Sequence, residues 1–176
     1  MQPGLTLDAL HGHLVSYNLA LPSIGSISAQ TVGGVIVTST HGSGLHPSYP
    51  SNMSLSVVSL SLLLSSGERI TCSRKAEENP DVFLATLCGL GMTGLVVDVT
   101  LQCEERFRLK EVACNVRFEE FVERLEDIAT SAEHVRCWWF GQRGVVRVSR
   151  CDRTSDVSTS ICISRNISDI CASIGF

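Results

Sequence analysis

Charge is almost absent from the first third of the chain. Asp8 is the only acidic or basic residue before Glu68 in a sequence of 176. A stretch so poor in charge, yet rich in Gly, Ser and Thr, has little to present to water. It is either a buried packing segment or a segment whose backbone lines a ligand. The eight cysteines, at 72, 88, 103, 114, 137, 151, 162 and 171, include no Cys-x-x-Cys spacing. That argues against a zinc knuckle and leaves free thiols in a reducing, intracellular compartment as the expectation. Met1 to Leu10 has neither a basic end nor a long apolar run, so no secretory signal is expected there. The apolar run from Leu55 to Leu64 is interrupted by serines and too short to span a bilayer, although peripheral attachment stays open. The net charge of −4 gives no reason to expect nucleic acid or an anionic membrane as partner. What is present, 44% hydrophobic and 18% charged residues, is the balance of a globular domain with a sizeable core.

Periodicity predicts a mixed α+β chain without regular βαβ alternation. Thr6 to Leu19 reads as a helix, with Leu7, Leu10, Leu14 and Val15 on one face. Thr31 to Val37 is a short helix or a buried strand, and its pattern does not decide. Thr38 to Ser51 reads as an ordered loop. Leu55 to Leu64 and Arg69 to Ser73 form a predicted hairpin around Ser65-Ser66-Gly67-Glu68. Asn79 is expected to cap a helix that starts at Pro80 and runs through Leu87. Leu95 to Cys103 is a strand, and Phe107 to Val112 suits another. Phe118, Phe121, Val122, Leu125, Ile128 and Ala129 follow one helical face, and His134 to Phe140 and Val145 to Ser149 read as strands.

Several motifs are decoys. Gly89-Leu90-Gly91-Met92-Thr93-Gly94 spells the dinucleotide fingerprint, but a helix precedes it and a strand follows, the reverse of what a pyrophosphate at a helix N-terminus needs. A tight turn with glycines at positive φ is the plainer reading. His41-Gly42-Ser43-Gly44 resembles a lipase oxyanion loop and suggests a His41-dependent hydrolase, but the chain has no G-x-S-x-G elbow. His41 and His46, with His11 and His13, could be imagined as metal ligands, but the 41/46 pair has no carboxylate nearby in sequence and solvated or hydrogen-bonded histidines are the plainer reading, so no metal is expected.

The informative run is Pro22 to Gly44, with Gly25, Gly33, Gly34, Gly42 and Gly44 interleaved with hydroxyl residues and no charge. Glycine permits close backbone approach, its N–H can meet phosphate oxygens, and Ser or Thr hydroxyls add donors. This run resembles the flavin-binding signature of aldonolactone oxidases, in the vanillyl-alcohol-oxidase superfamily with its PCMH-type FAD-binding domain. The resemblance rests on the Pro-x-x-Gly start, Gln30-Thr31, Gly34 and Thr40-His41-Gly42-Ser43-Gly44. A second match joins Asn79-Pro80-Asp81-Val82-Phe83 to Leu90-Gly91-Met92-Thr93-Gly94-Leu95-Val96-Val97-Asp98-Val99-Thr100-Leu101. A third, His134-Val135-Arg136 followed by Trp138-Trp139-Phe140, resembles the start of the lactone-oxidase substrate domain. Thr93 stands where the family prefers Leu, and Ser39 where Gly is common.

The resemblance implies an FAD cofactor and oxidation of a sugar 1,4-lactone with oxygen as acceptor. D-arabinono-1,4-lactone is the first expectation for the substrate, and gulono- or galactono-lactone the second. It places flavin contacts at Gly25, Ser26, Gln30, Thr31, Gly34, Thr38, His41, Gly42, Gly94, Leu95 and Val96. Residues 1–105 are expected to be the second lobe of the FAD domain, 106–150 the start of the substrate domain, and 151–176 a tail unlike the family. The family's Arg-x-x-Gly-x-Gly-His-Ser loop and its substrate-contacting Glu and Arg are expected outside this chain, as are the catalytic residues, which makes a non-catalytic truncated product the alternative. Mitochondrial membrane association is a further expectation from the family.

Overall fold

In the computed structural model, residues 1–45 and 51–156 are described; His46 and the cysteines at 162 and 171 lie outside them. The first unit begins with α1 (Leu7–Ser16), whose N-cap Thr6 accepts a hydrogen bond from the Ala9 N–H. Asn18 then takes a left-handed turn, φ 56°, which ends the helix before Leu19. β1 (Leu19–Ala20) pairs antiparallel with β5 (Glu104–Glu105). The undecided segment is α2 (Val32–Val37), capped by Thr31, with Val32, Val35 and Ile36 fully buried.

A three-stranded antiparallel sheet packs against these helices in the order β3-β2-β4, built from β2 (Val57–Leu63), β3 (Arg69–Ser73) and β4 (Leu95–Leu101). The expected strand start at Leu55 is corrected: Met53–Ser56 is a 3-10 turn, and Leu55 faces solvent. Register shifts in the β2–β4 ladder after Val57 and Ser61 break simple alternation, so Val57, Leu60 and Leu62 are the buried residues. With Leu7, Leu10, Leu14, Val99 and Phe83 they form the main core, each fully buried aliphatic contributing about 1.5–3 kcal/mol.

α3 (Pro80–Thr86) starts at the proline, but Asn79 does not cap it. Asn79 is left-handed, and its amide donates to the Thr71 carbonyl at 2.9 Å, tying the helix start to β3 instead. The turn from α3 into β4 carries Cys88, Leu90, Gly91 and Gly94 at positive φ. It is a helix-to-strand turn, as the order of elements required.

A second sheet has the order β6-β8-β7, from β6 (Arg108–Arg117), β7 (His134–Phe140) and β8 (Val145–Thr154). β8 continues past the expected end at Ser149. One face is covered by α4 (Phe118–Glu123) and α5 (Leu125–Ala129), which divide the single helix read from the sequence. Arg124 leaves helical geometry, φ −114° and ψ 23°, and the break leaves Val122 and Leu125 exposed while Phe118, Phe121 and Ile128 still pack on Val146 and Val148.

Candidate flavin site

α2 and the turn before β4 meet along a groove of about 430 Å³. Thr31, Gly34, Gly94, Leu95 and Val96 line it, joined by Pro3, Gly4, Gly33, Val37 and Gly91. The turn is docked on α2 by two backbone bonds, Cys88 N–H to Ile36 O at 3.1 Å and Leu90 N–H to Val37 O at 2.9 Å. Sequence reasoning missed Pro3, Gly4 and Val37, which carry no local signal; Gly91 was visible only inside the decoy fingerprint.

The other expected contacts gather beside this groove. A Cβ at Gly25 would lie 2.5 Å from Thr40 Cγ2 and 3.4 Å from Gln30 Oε1. A Cβ at Gly42 would lie 2.1 Å from Ser23 Oγ and 3.0 Å from the Ile24 carbonyl. Those two glycines are therefore required by the close approach of segment 23–25 to segment 40–42, whatever else they touch. Thr38 links the groups: its hydroxyl donates to Gly34 O at 2.8 Å and lies 3.3 Å from the Thr40 hydroxyl. His41 is exposed with Nδ1 2.8 Å from the Gly42 carbonyl, and Ser26 is exposed.

One expectation about donors needs correction. The glycine-rich start of α2 does not present free N–H groups. Val32 N–H donates to Leu5 O, Gly33 N–H to Pro3 O and Gly34 N–H to Thr31 Oγ1. Across the groove, the N–H groups of Gly91 and Gly94 have no hydrogen-bond acceptor among the described residues. A diphosphate cofactor fits this groove through close approach to Gly34 on one wall and donors at Gly91 and Gly94 on the other, with no carboxylate in the lining.

The Thr40–Gly44 loop also reaches the second sheet. Gly44 bridges His134 on the outer edge of β7, with Val135 N–H donating to Ser43 O at 3.4 Å. The face of that sheet opposite α4 and α5 carries Glu111, Arg136, Trp138 and Ser149, and the Ser149 hydroxyl donates to Glu111 Oε1. Below the loop, the Cys88 thiol is pushed up by burial and, by a larger total, down by hydrogen bonds with Ser39, Ser54 and Asn52, ending below its ordinary value.

Two family models match the chain. The FAD binding domain matches residues 1–73, and D-arabinono-1,4-lactone oxidase matches residues 99–171. Similar proteins include a D-arabinono-1,4-lactone oxidase of Yarrowia lipolytica, 35% identical over 80% of this chain and 26% of that protein. An L-gulonolactone oxidase of Mus musculus is 32% identical over 91% of this chain and 35% of its own length. The chain belongs to the aldonolactone oxidase family. It spans about a quarter to a third of the length of the curated relatives it matches. A solvent-stable cholesterol oxidase matches with a TM-score of 0.76 at 21% identity, over 89% of this chain and 32% of that one. That likeness establishes the fold, a PCMH-type FAD-binding α+β architecture. FAD is accordingly the cofactor of this aldonolactone oxidase family chain.

Proposed function

We propose that a full-length protein carrying these residues oxidises a sugar 1,4-lactone, D-arabinono-1,4-lactone first among candidates, with oxygen as acceptor. The observation that carries this reading is the succession, in one chain, of an FAD-binding match at 1–73 and a lactone-oxidase match at 99–171. Held along Thr31, Gly34 and the turn at Gly94, FAD would supply a two-electron acceptor for the lactone, with oxygen as the reoxidant that leaves as hydrogen peroxide. The chain's own part is to hold the cofactor. Thr31, Gly34, Gly94, Leu95 and Val96 shape the groove, while Gly25, Ser26, Gln30, Thr38, His41 and Gly42 carry the adjoining loop that reaches β7.

In this reading residues 1–105 are the FAD-domain part and 106–150 the opening of the substrate domain. An intracellular site with peripheral attachment to a mitochondrial membrane completes the proposal, supported by family resemblance alone; no helix among the described residues is long and apolar enough to cross a membrane.

The test is Gly34→Asp in the full-length protein. Gly34 is the third residue of α2, where an aspartate favours the helix start, and a Cβ there meets only Thr31 Oγ1 at 3.1 Å. The fold should tolerate it, while the carboxylate repels a diphosphate. We expect loss of bound-flavin absorbance and of lactone-dependent peroxide. Full flavin retention in this variant removes the groove from the proposal.

A further inference from the structure

A second pocket, of about 270 Å³, opens where the two units join, and none of its residues lines the flavin groove. Asn18, Arg106, Phe107, Arg108, Thr154 and Ser155 line it. We propose that this pocket binds a phosphate group carried by a larger molecule.

The fold brings these side chains together in two steps. The β1–β5 ribbon sets Asn18 beside Arg106, whose N–H donates to the Asn18 carbonyl at 2.9 Å. The first rung of the β6–β8 ladder sets Arg108 opposite Thr154. Phe107 lies between the two arginines in sequence and is covered by the Arg153 guanidinium, 4.0 Å from its ring centre.

Charge argues for an anion. The carboxylates nearest in sequence are already engaged. Glu104 accepts two bonds from Arg153, Glu105 accepts from the Asn18 amide at 3.4 Å, and Asp156 pairs with Lys110 at 3.3 Å. Arg106 and Arg108 have no acidic partner among the described residues. Two arginines with no acidic partner among the described residues therefore line one cavity of a chain whose net charge is −4. Thr154 Oγ1 accepts from the Asp156 N–H at 3.1 Å, so its own O–H remains to donate outward. Guanidinium forks and hydroxyls approaching from both strands suit the several oxygens of a phosphate, and charge-assisted bonds of this kind are the strong ones. The volume leaves room for the group the phosphate is attached to.

A phosphate ester in solution and a phospholipid headgroup share this chemistry, and two probes separate them. Full-length protein is titrated with inorganic phosphate against chloride at matched ionic strength, and with phosphatidylcholine vesicles with and without phosphatidic acid. The variants are R106Q/R108Q; N18G, which keeps the left-handed backbone and removes the amide; and R117Q, which removes an exposed charge elsewhere. We expect saturable binding of at least one probe, at least tenfold weaker in R106Q/R108Q, a few-fold weaker in N18G and unchanged in R117Q. Response to vesicles alone assigns a lipid headgroup; response to inorganic phosphate assigns a soluble ester. Binding of neither probe, or equal binding by R106Q/R108Q and the parent, overturns the proposal. Flavin absorbance, read in the same samples, reports separately on the flavin groove.

Discussion

Arg153 on β8 grips Glu104 on β5 with both terminal nitrogens, at 2.9 and 2.7 Å, while its Nε donates to Glu133 at 2.8 Å. About a quarter of each side chain is exposed at the Arg153–Glu104 pair. The two carboxylates hold the guanidinium charged, its pKa raised mainly by the Glu104 hydrogen bonds against the opposing effect of burial. The link ties the first unit to the second sheet.

Arg153→Gln leaves Glu104 and Glu133 without their cation in a partly desolvated place. We expect a loss of about 1–3 kcal/mol in urea unfolding. Arg153→Lys should recover less than half of it, because a single ammonium cannot make the two-pronged contact. An unchanged midpoint in the Gln variant would show the pair to be ornamental.

Gly42→Ala should destabilise by about 1–3 kcal/mol, since the new methyl meets Ser23 Oγ and the Ile24 carbonyl. Combined with Ser23→Ala the cost should shrink, because the nearer of the two obstacles is gone. Thermal melts of the two single variants and the double one read this coupling directly; strict additivity contradicts the packing described.

Gly91 and Gly94 both have positive φ, 78° and 148°, but their surroundings differ. Alanine at 91 meets nothing within 4 Å, whereas at 94 it lies 2.9 Å from the Leu63 carbonyl. Gly91→Ala should cost about 1 kcal/mol and Gly94→Ala clearly more. The reverse order in chemical denaturation would contradict the turn.

Among the described cysteines, Cys88 should be the first to alkylate. It is exposed and its pKa is lowered, so its thiolate forms at a pH below the ordinary thiol range; burial raises Cys72 and Cys103. Ser39→Ala removes the first of the hydrogen bonds that lower the Cys88 pKa and should move the Cys88 reaction midpoint to higher pH. Mass spectrometry after brief iodoacetamide treatment at several pH values checks both statements. Equal early labelling of Cys72 and Cys88 counts against them.

Much of the fold was legible because local rules and burial agree. Leu7, Leu10 and Leu14 repeat with helical spacing and are buried, and the turn signals at 65–68 deliver the β2–β3 hairpin. Legibility failed where a distant partner decides. Asn79 has the composition of a cap, yet its amide is recruited by Thr71. Phe118 to Ala129 has one continuous apolar stripe, yet Arg124 leaves helical geometry and divides it into two short helices that pack on Val146 and Val148. At the flavin groove the glycines were visible but their use was not. The N–H groups at the start of α2 are consumed by Pro3 and Leu5, residues whose proximity no sequence window reveals.

The order β6-β8-β7 sets a timetable for the nascent chain. Neither β6 nor β7 pairs with the other; both await β8, which ends at Thr154. The β3-β2-β4 sheet has all its strands once Leu101 has emerged. During synthesis the first unit can therefore close while β6 and β7 wait with unsatisfied backbone edges. Between residues 101 and 154 those edges are open to wrong pairing, so that interval of synthesis is where aggregation is expected to begin.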